Sequence, residues 1–208
     1  MTAQIRVLNK APAPLPGVRV GAVLMASGSA HRFGRGKLLE TVDGMPMIQH
    51  TFQAVPPELF CRAAAVSACP RILALAEEQG YLPIPNPQAA EGISASVRLG
   101  LSALLDMDGV LFAVCDQPWL KRSSTQRLLE QFSAAPNLIC ALGWQGQRGN
   151  PVIFPSALFP ELLDLTGDRG GGRVIQAHPG LLRLVDVEDP GQLRDVDTPE
   201  DLAEQDPV

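Results

Sequence analysis

Two carboxylates and one cation-studded loop are the parts of this chain that could do chemistry. Asp116 follows six apolar residues, Val110 to Cys115, and precedes Gln117-Pro118, so its carboxylate projects from the end of a buried strand. The loop reads Met25-Ala-Ser-Gly-Ser-Ala-His-Arg-Phe-Gly-Arg-Gly-Lys-Leu-Leu39. Small residues from Ala26 to Ala30 let the backbone approach a ligand and turn its N–H groups toward it. Arg32, Arg35 and Lys37, spaced along the same loop, suit a polyanion such as a triphosphate. A carboxylate set among such negative charge is disfavoured unless a cation separates the two, and Mg²⁺ with oxygen ligands is the usual solution. A plainer reading also fits these residues alone: a strand, a flexible turn, a solvated basic face, and an aspartate opening an Asx turn ahead of Pro118.

Spacing excludes two familiar phosphate loops. Gly36-Lys37 is followed by Leu38, so the Ser/Thr of a Walker A loop is missing, and His31 occupies the position of its first glycine. Gly28 is followed by Ser29-Ala30-His31, which is not a dinucleotide fingerprint.

A second acidic cluster, Asp195-Val-Asp-Thr-Pro-Glu-Asp201, is partly explained by helix capping. Thr198 fits an N-cap, Pro199 the first helical position and Asp201 a capping-box carboxylate, while Glu200 adds favourable charge near the helix start. Asp197 is not used in that account. Gly92, Ser94 and Ser96 lead into a helix, and Ser94 is expected to cap it. The free N–H groups of a helix start can also face a ligand.

The elements that must position these groups alternate. An apolar strand from Val20 is followed by the loop, an Asp43-Gly44 turn, and a helix opened by Pro46 and running to about Ala54. Next come a strand over 61–67, a helix from Pro70 ending at Gly80, and a short strand over 81–84. Helix 93–105 carries Ile93, Val97, Leu101 and Leu104 on one stripe. Strand 109–115 is apolar on both faces, and helix 124–135 shows Leu128, Leu129 and Phe132. This order implies βαβ units and a largely parallel sheet, with ligands beyond the carboxyl ends of the strands. Further on, 144–154 reads as a loop entering a strand, 157–165 as a short helix, and 166–172 as a glycine-rich loop before another helix. The chain then reads as a strand over 181–187 and, around 195–202, as a strand end turning into a final helix.

The 208 residues suit one domain, expected over 19–208, after an extended leader over 1–18 that holds Pro12, Pro14, Pro16 and Gly17. A net charge of −5 argues against bulk nucleic-acid binding. Four cysteines form no C-x-x-C pair, and the expectation is reduced core residues in a cytoplasmic protein. No run of 18 apolar residues predicts a membrane span, and no signal-type h-region is present.

The run from Met25 to Gly34 followed by Lys37-Leu-Leu39 resembles the signature of nucleotidyltransferases that make nucleotide-activated sugars and cofactors. It is most similar to the molybdenum-cofactor cytidylyltransferase branch of the MobA-like family, whose loop reads roughly Leu-Ala-Ala-Gly-x-Ser-x-Arg-Phe-Gly-x-x-Lys-Leu-Leu. Cys115-Asp-Gln-Pro118 and Asp195-x-Asp-Thr-Pro-Glu-Asp201 match further motifs of that family, and five such segments occur in its order over about 19–203. The resemblance implies a single-domain, Rossmann-like three-layer α/β/α fold with a mostly parallel sheet. It implies a nucleotidyl transfer in which CTP gives CMP to a phosphate-bearing acceptor, most closely molybdopterin, with release of pyrophosphate and with Mg²⁺ as cofactor. Carried over residue by residue, the catalytic groups are Arg32, Lys37 and Asp116, and the metal ligands are Asp116 and Asp197. The nucleotide lies against Met25, Ala26, Ser27, Gly28, Arg32, Lys37, Gly92, Ser94 and Ser96. Segments around Arg148, Asn150, Asp168 and Arg169 face the acceptor, and a molybdoenzyme or its maturation factor is an implied transient partner. Two positions depart from the pattern: Ser27 stands where cytidylyl enzymes carry Ala and guanylyl enzymes carry Gly, and Ala30 replaces the usual Ser. A sugar-1-phosphate nucleotidyltransferase and a non-catalytic nucleotide-binding maturation protein are the rival readings.

Overall fold

The apolar runs of the sequence become the central strands of one sheet, and their ends set the site. The structure is a computed structural model that describes residues 17–27 and 36–202. Its elements are β1 (Val20–Met25), the hairpin β2 (Thr41–Val42) and β3 (Met45–Pro46), α1 (Met47–Ala54), β4 (Arg62–Ser67) and α2 (Pro70–Glu78). There follow β5 (Leu82–Pro85), α3 (Ile93–Ser102), β6 (Gly109–Val114), α4 (Arg122–Ala134), β7 (Ile139–Trp144) and β8 (Gln147–Pro155). The last are α5 (Phe159–Leu163), α6 (Gly172–Ala177) and β9 (Leu182–Asp186).

Seven strands pair in the order β5-β4-β1-β6-β8-β7-β9. All neighbours are parallel except β8, which runs against both β6 and β7. The expected mostly parallel α/β sheet is the sheet observed. β1, β4 and β6 are almost wholly buried, as strands covered on both faces must be. Side chains of α1, α2 and α4, among them Phe52, Ile72 and Leu128, join the core on one face. On the other, α3, α5 and α6 contribute Val97, Leu162 and Val174, which completes three layers.

Register decides what meets at the carboxyl edge. Met25 is level with Val66 on one side and Val114 on the other, so Ala26, Ser67 and Cys115-Asp116 emerge together. Because β8 is antiparallel, with Val152 beside Phe112, its first residues, Arg148 to Asn150, reach the same edge.

Several boundaries differ from the sequence expectation. Pro46 pairs with Thr41 in the hairpin, whose turn has Asp43 at φ 47° and Gly44 at φ 84°, and the helix begins at Met47. The helix expected to reach 105 ends at Ser102; Leu104 still turns into the core, but Leu105 is 52% exposed. The supposed loop from Trp144 is a tight β7–β8 hairpin, with Gln145 and Gly146 both at positive φ. Residues 195–198 form no strand; Val196 makes one backbone bond to the Asp116 carbonyl, and Pro199–Leu202 is a single 3₁₀ turn rather than a helix. Of the expected leader only Gly17 and Val18 are described, and Val18 packs against the core.

Candidate active site

A lysine sits where the sequence placed a cation-bridged pair of carboxylates. Lys37 Nζ donates to Asp116 Oδ2 and to Asp197 Oδ1, each at 3.0 Å. The three residues come from different places. Lys37 starts the 3₁₀ turn Lys37–Leu39, whose two leucines pack on the core and hold its backbone down. Asp116 stands just past β6. Asp197 is carried by an extended strap pinned by Val196, whose N–H donates to the Asp116 carbonyl at 2.9 Å and whose fully buried side chain packs with Val42 and Met47. Lys37 is 11% exposed; burial disfavours its charge, yet Asp116 and Asp197 outweigh that and hold its pKa above the ordinary lysine value.

Asp201 takes the capping role expected of it. Its Oδ2 accepts the N–H groups of Asp197 and Thr198, both at 2.7 Å, and those bonds hold its carboxyl below the usual range. The Asp197 backbone is thereby fixed while its side chain points to Lys37. Asp195, which the sequence reading did not single out, lies beside them. Its Oδ1 accepts from Gln117 Nε2 at 2.8 Å. Partial desolvation of its carboxylate, with the charges of Asp116 and Asp197, raises its pKa. The regular Asp-x-Asp spacing was the available signal. Among the described residues no three His, Cys, Asp or Glu side chains form a metal cage. Two converging carboxylates do fit a hard cation that takes its other oxygens from phosphate and water, as Mg²⁺ usually does.

The segments expected to meet a nucleotide lie along the same edge. Met25 and Ala26 end the β1 segment, and the Ala26 N–H donates to the Val66 carbonyl at 2.9 Å. The Ser27 hydroxyl is turned inward, donating to Val66 O at 3.2 Å and accepting from Asn86 Nδ2 at 3.2 Å. Gly28 and Arg32 lie outside the described residues. Ser94 does not cap α3. It is fully buried, its Oγ accepts from Arg98 Nη1 at 3.1 Å, and its N–H donates to Gly167 O at 3.2 Å. The cap is Gly92, at φ 99°, where a Cβ would overlap both Asp168 and the Gly167 backbone. Ser96 is also buried and accepts from Asn86. Asn86, missed in the sequence, therefore links two of the expected nucleotide positions.

On the acceptor side, Arg148 and Asn150 line a cavity of about 160 Å³ that also touches Met25, Phe112 and Gly171. Asp168 and Arg169 stay on the exposed loop before α6, with Asp168 against Gly92. Cys115 and Cys140 are buried thiols; burial pushes Cys140 up to about 11, so neither is poised as a nucleophile. No helix among the described residues is long and apolar enough to cross a membrane.

A sheet edge that gathers a lysine and two aspartates suits phosphate chemistry, and the comparison with known proteins shows the family. The model of the MobA-like NTP transferase domain matches residues 22–182. The chain belongs to this family. As a MobA-like protein it is a nucleotidyltransferase with the fold of the nucleotide-diphospho-sugar transferases. Its curated relatives are distant. A protein of Paenarthrobacter nicotinovorans named nicotine blue oxidoreductase is 27% identical over 198 residues, covering 88% of this chain and 94% of the relative. The purine catabolism protein PucB of Bacillus subtilis is 24% identical over 93% of this chain and 85% of its own. A probable molybdenum cofactor guanylyltransferase of a Nostoc strain is 28% identical over 88% of each. Among solved structures, a protein of Mycobacterium tuberculosis H37Rv superposes with TM-score 0.75 at 21% identity, covering 89% of this chain and 97% of that one. A CMP:2-keto-3-deoxy-manno-octonic acid synthetase complexed with CTP gives TM-score 0.71 at 15% identity, over 89% of this chain and 96% of that one.

Proposed function

We propose that this MobA-like protein moves CMP from CTP to a phosphate-bearing acceptor, molybdopterin above other candidates, with Mg²⁺ as the cofactor. The observation that carries the reading is the convergence of Lys37, Asp116 and Asp197 on one point at the carboxyl edge. A phosphate oxygen of the acceptor bonds to the α-phosphorus, the bond from that phosphorus to the β-phosphate oxygen breaks, and pyrophosphate leaves. Such a displacement needs positioning and charge neutralisation rather than a nucleophilic side chain. Asp116 and Asp197 would hold Mg²⁺, which would supply that neutralisation when bound. In this reading Lys37 exchanges its carboxylate partners for the phosphates of the nucleotide, and Arg32, by the resemblance, adds a second cation there. Arg148 and Asn150, which line the cavity next to Met25, are the residues this reading assigns to the acceptor.

The choice of CTP rests on Ser27. By the resemblance, guanylyl enzymes carry glycine there, and the added Cβ narrows the room for a purine. The guanylyltransferase named among the relatives makes GTP the competing nucleotide. The relative named as an oxidoreductase belongs to another reaction class. Hydride transfer makes no call for two carboxylates and a lysine gathered at one point, whereas phosphoryl chemistry does.

The test is pyrophosphate release with each NTP in turn, with Mg²⁺, with and without molybdopterin. The reading expects release with CTP that depends on molybdopterin. Release that depends instead on a sugar 1-phosphate would establish the sugar-nucleotide reading. No release from any pair would leave a non-catalytic nucleotide-binding protein.

A further inference from the structure

We infer that Asn86 is a positioning residue that sets Ser27, just past β1, against the base-side helix, and so governs how tightly and how selectively the nucleotide is held. This rests on the nucleotide reading above. Asn86 follows β5 and is 2% exposed. Its N–H donates to the Ser67 carbonyl at 2.9 Å, which carries the β4–β5 pairing one residue further. Its Oδ1 accepts the Gln88 N–H at 3.0 Å, closing an Asx turn. The Nδ2 group donates to Ser27 Oγ at 3.2 Å and to Ser96 Oγ at 3.1 Å. A side-chain amide has two donor hydrogens and one acceptor oxygen, and here each finds a partner.

What those partners are is the point. Ser27 is the second residue past β1, at the carboxyl edge of the sheet. Its neighbour Ala26 is pinned from both sides, N–H to Val66 O and C=O to the Ser67 hydroxyl at 2.8 Å. Ser96 lies in the first turn of α3, the helix that begins at Gly92. The Ser27 hydroxyl is occupied on both its donor and acceptor sides, and Ser96 is 3% exposed, so both serve as struts rather than as groups offered to a ligand. One buried amide thus spans the two segments between which a nucleotide would rest. Truncating it removes two bonds and lets the segments part, which weakens every contact that depends on their spacing.

The test is calorimetric titration with CTP and with GTP, each with Mg²⁺. The proteins are wild type, Asn86→Ala, Ser27→Ala/Ser96→Ala and the triple variant, with thermal midpoints measured alongside. Asn86→Ala should weaken CTP binding roughly tenfold, the scale of two lost hydrogen bonds, and move the CTP-to-GTP affinity ratio toward one. The triple variant should bind no more weakly than Asn86→Ala to within about twofold, because the amide acts through the two serines. In steady state the nucleotide KM should rise with kcat nearly unchanged. Asn86→Ser keeps an acceptor for the Gln88 N–H yet is too short to span both serines. It should show the same shift, and it replaces Asn86→Ala if that variant does not fold. Wild-type affinity and base ratio in either variant, whatever happens to the thermal midpoint, would make Asn86 a merely structural amide and overturn the inference. Lys37→Ala separates the two readings. If it binds CTP poorly while the Asn86 variants bind normally, only this inference fails; if it too binds like wild type, the nucleotide reading fails with it.

Discussion

At the scale of single residues, the acidic cluster divides its labour by what each carboxylate touches. Asp197→Ala should remove transfer activity while leaving the thermal midpoint nearly unchanged, because its side chain contacts Lys37 from an exposed strap. Asp201→Ala should do the reverse, lowering the midpoint by a few degrees through loss of the acceptor for two N–H groups, with activity largely kept. Paired melting curves and rates check both, and an essential Asp201 beside a silent Asp197 would show the division to be inverted. Lys37→Ala should raise the nucleotide KM by about tenfold and lower kcat, since a cation facing phosphates acts both in the ground state and on the leaving group. An aspartate directly after an apolar run, and an acid beside the cap that capping does not use, made Asp116 and Asp197 legible. The lysine between them was not legible as a bridge, because its partners lie 79 and 160 residues away and only tertiary structure brings them together. Ser94 misled for a local reason: Gly92 opens the helix in a positive-φ conformation, and Arg98 draws the serine hydroxyl inward.

At the scale of elements, α3 carries Ser96 and is capped by Gly92, so its seat on the sheet sets part of the proposed site. Gly100 in α3 lies against β1, where a Cβ would overlap the Val23 side chain. Gly100→Ala should therefore destabilise the protein by about 1–2 kcal/mol, overpacking offset in part by the better helix propensity of alanine. Urea unfolding measures it, and a neutral or stabilised variant would show that the helix can shift without penalty. The central parallel strands were legible because burial on both faces demands continuous apolar runs. The β7–β8 hairpin was not. Its turn is Gln145-Gly146 rather than Asn-Gly, and β8 contains Gly149 and Pro151 within a polar first half, which read as loop.

At the scale of the whole molecule, the sheet separates the proposed site at its carboxyl edge from a charge clamp at its amino edge. There Arg19 and Arg62 both reach Asp106, at 2.9 and 3.2 Å, tying β1 and β4 to the turn before β6. The hydrogen bond from Arg19 holds the Asp106 carboxyl below its ordinary value. A depressed folded pKa contributes stability that is present above the unfolded value, near 3.9, and is lost as pH falls through the folded one. Asp106→Asn should therefore lower the thermal midpoint slightly at pH 7, and the difference from wild type should shrink as the pH is taken down through the acid range below the unfolded value. A difference that stays constant across that range would remove the ion pairs from the account. The most direct measurement of the central claim follows the α-phosphate itself. With α-labelled CTP, Mg²⁺ and molybdopterin, the wild type should pass label to the acceptor as pyrophosphate appears. Asp116→Asn, isosteric and folded, should lose at least about a hundredfold in rate. Label transfer by Asp116→Asn at the wild-type rate, with the wild-type Mg²⁺ dependence, would contradict it.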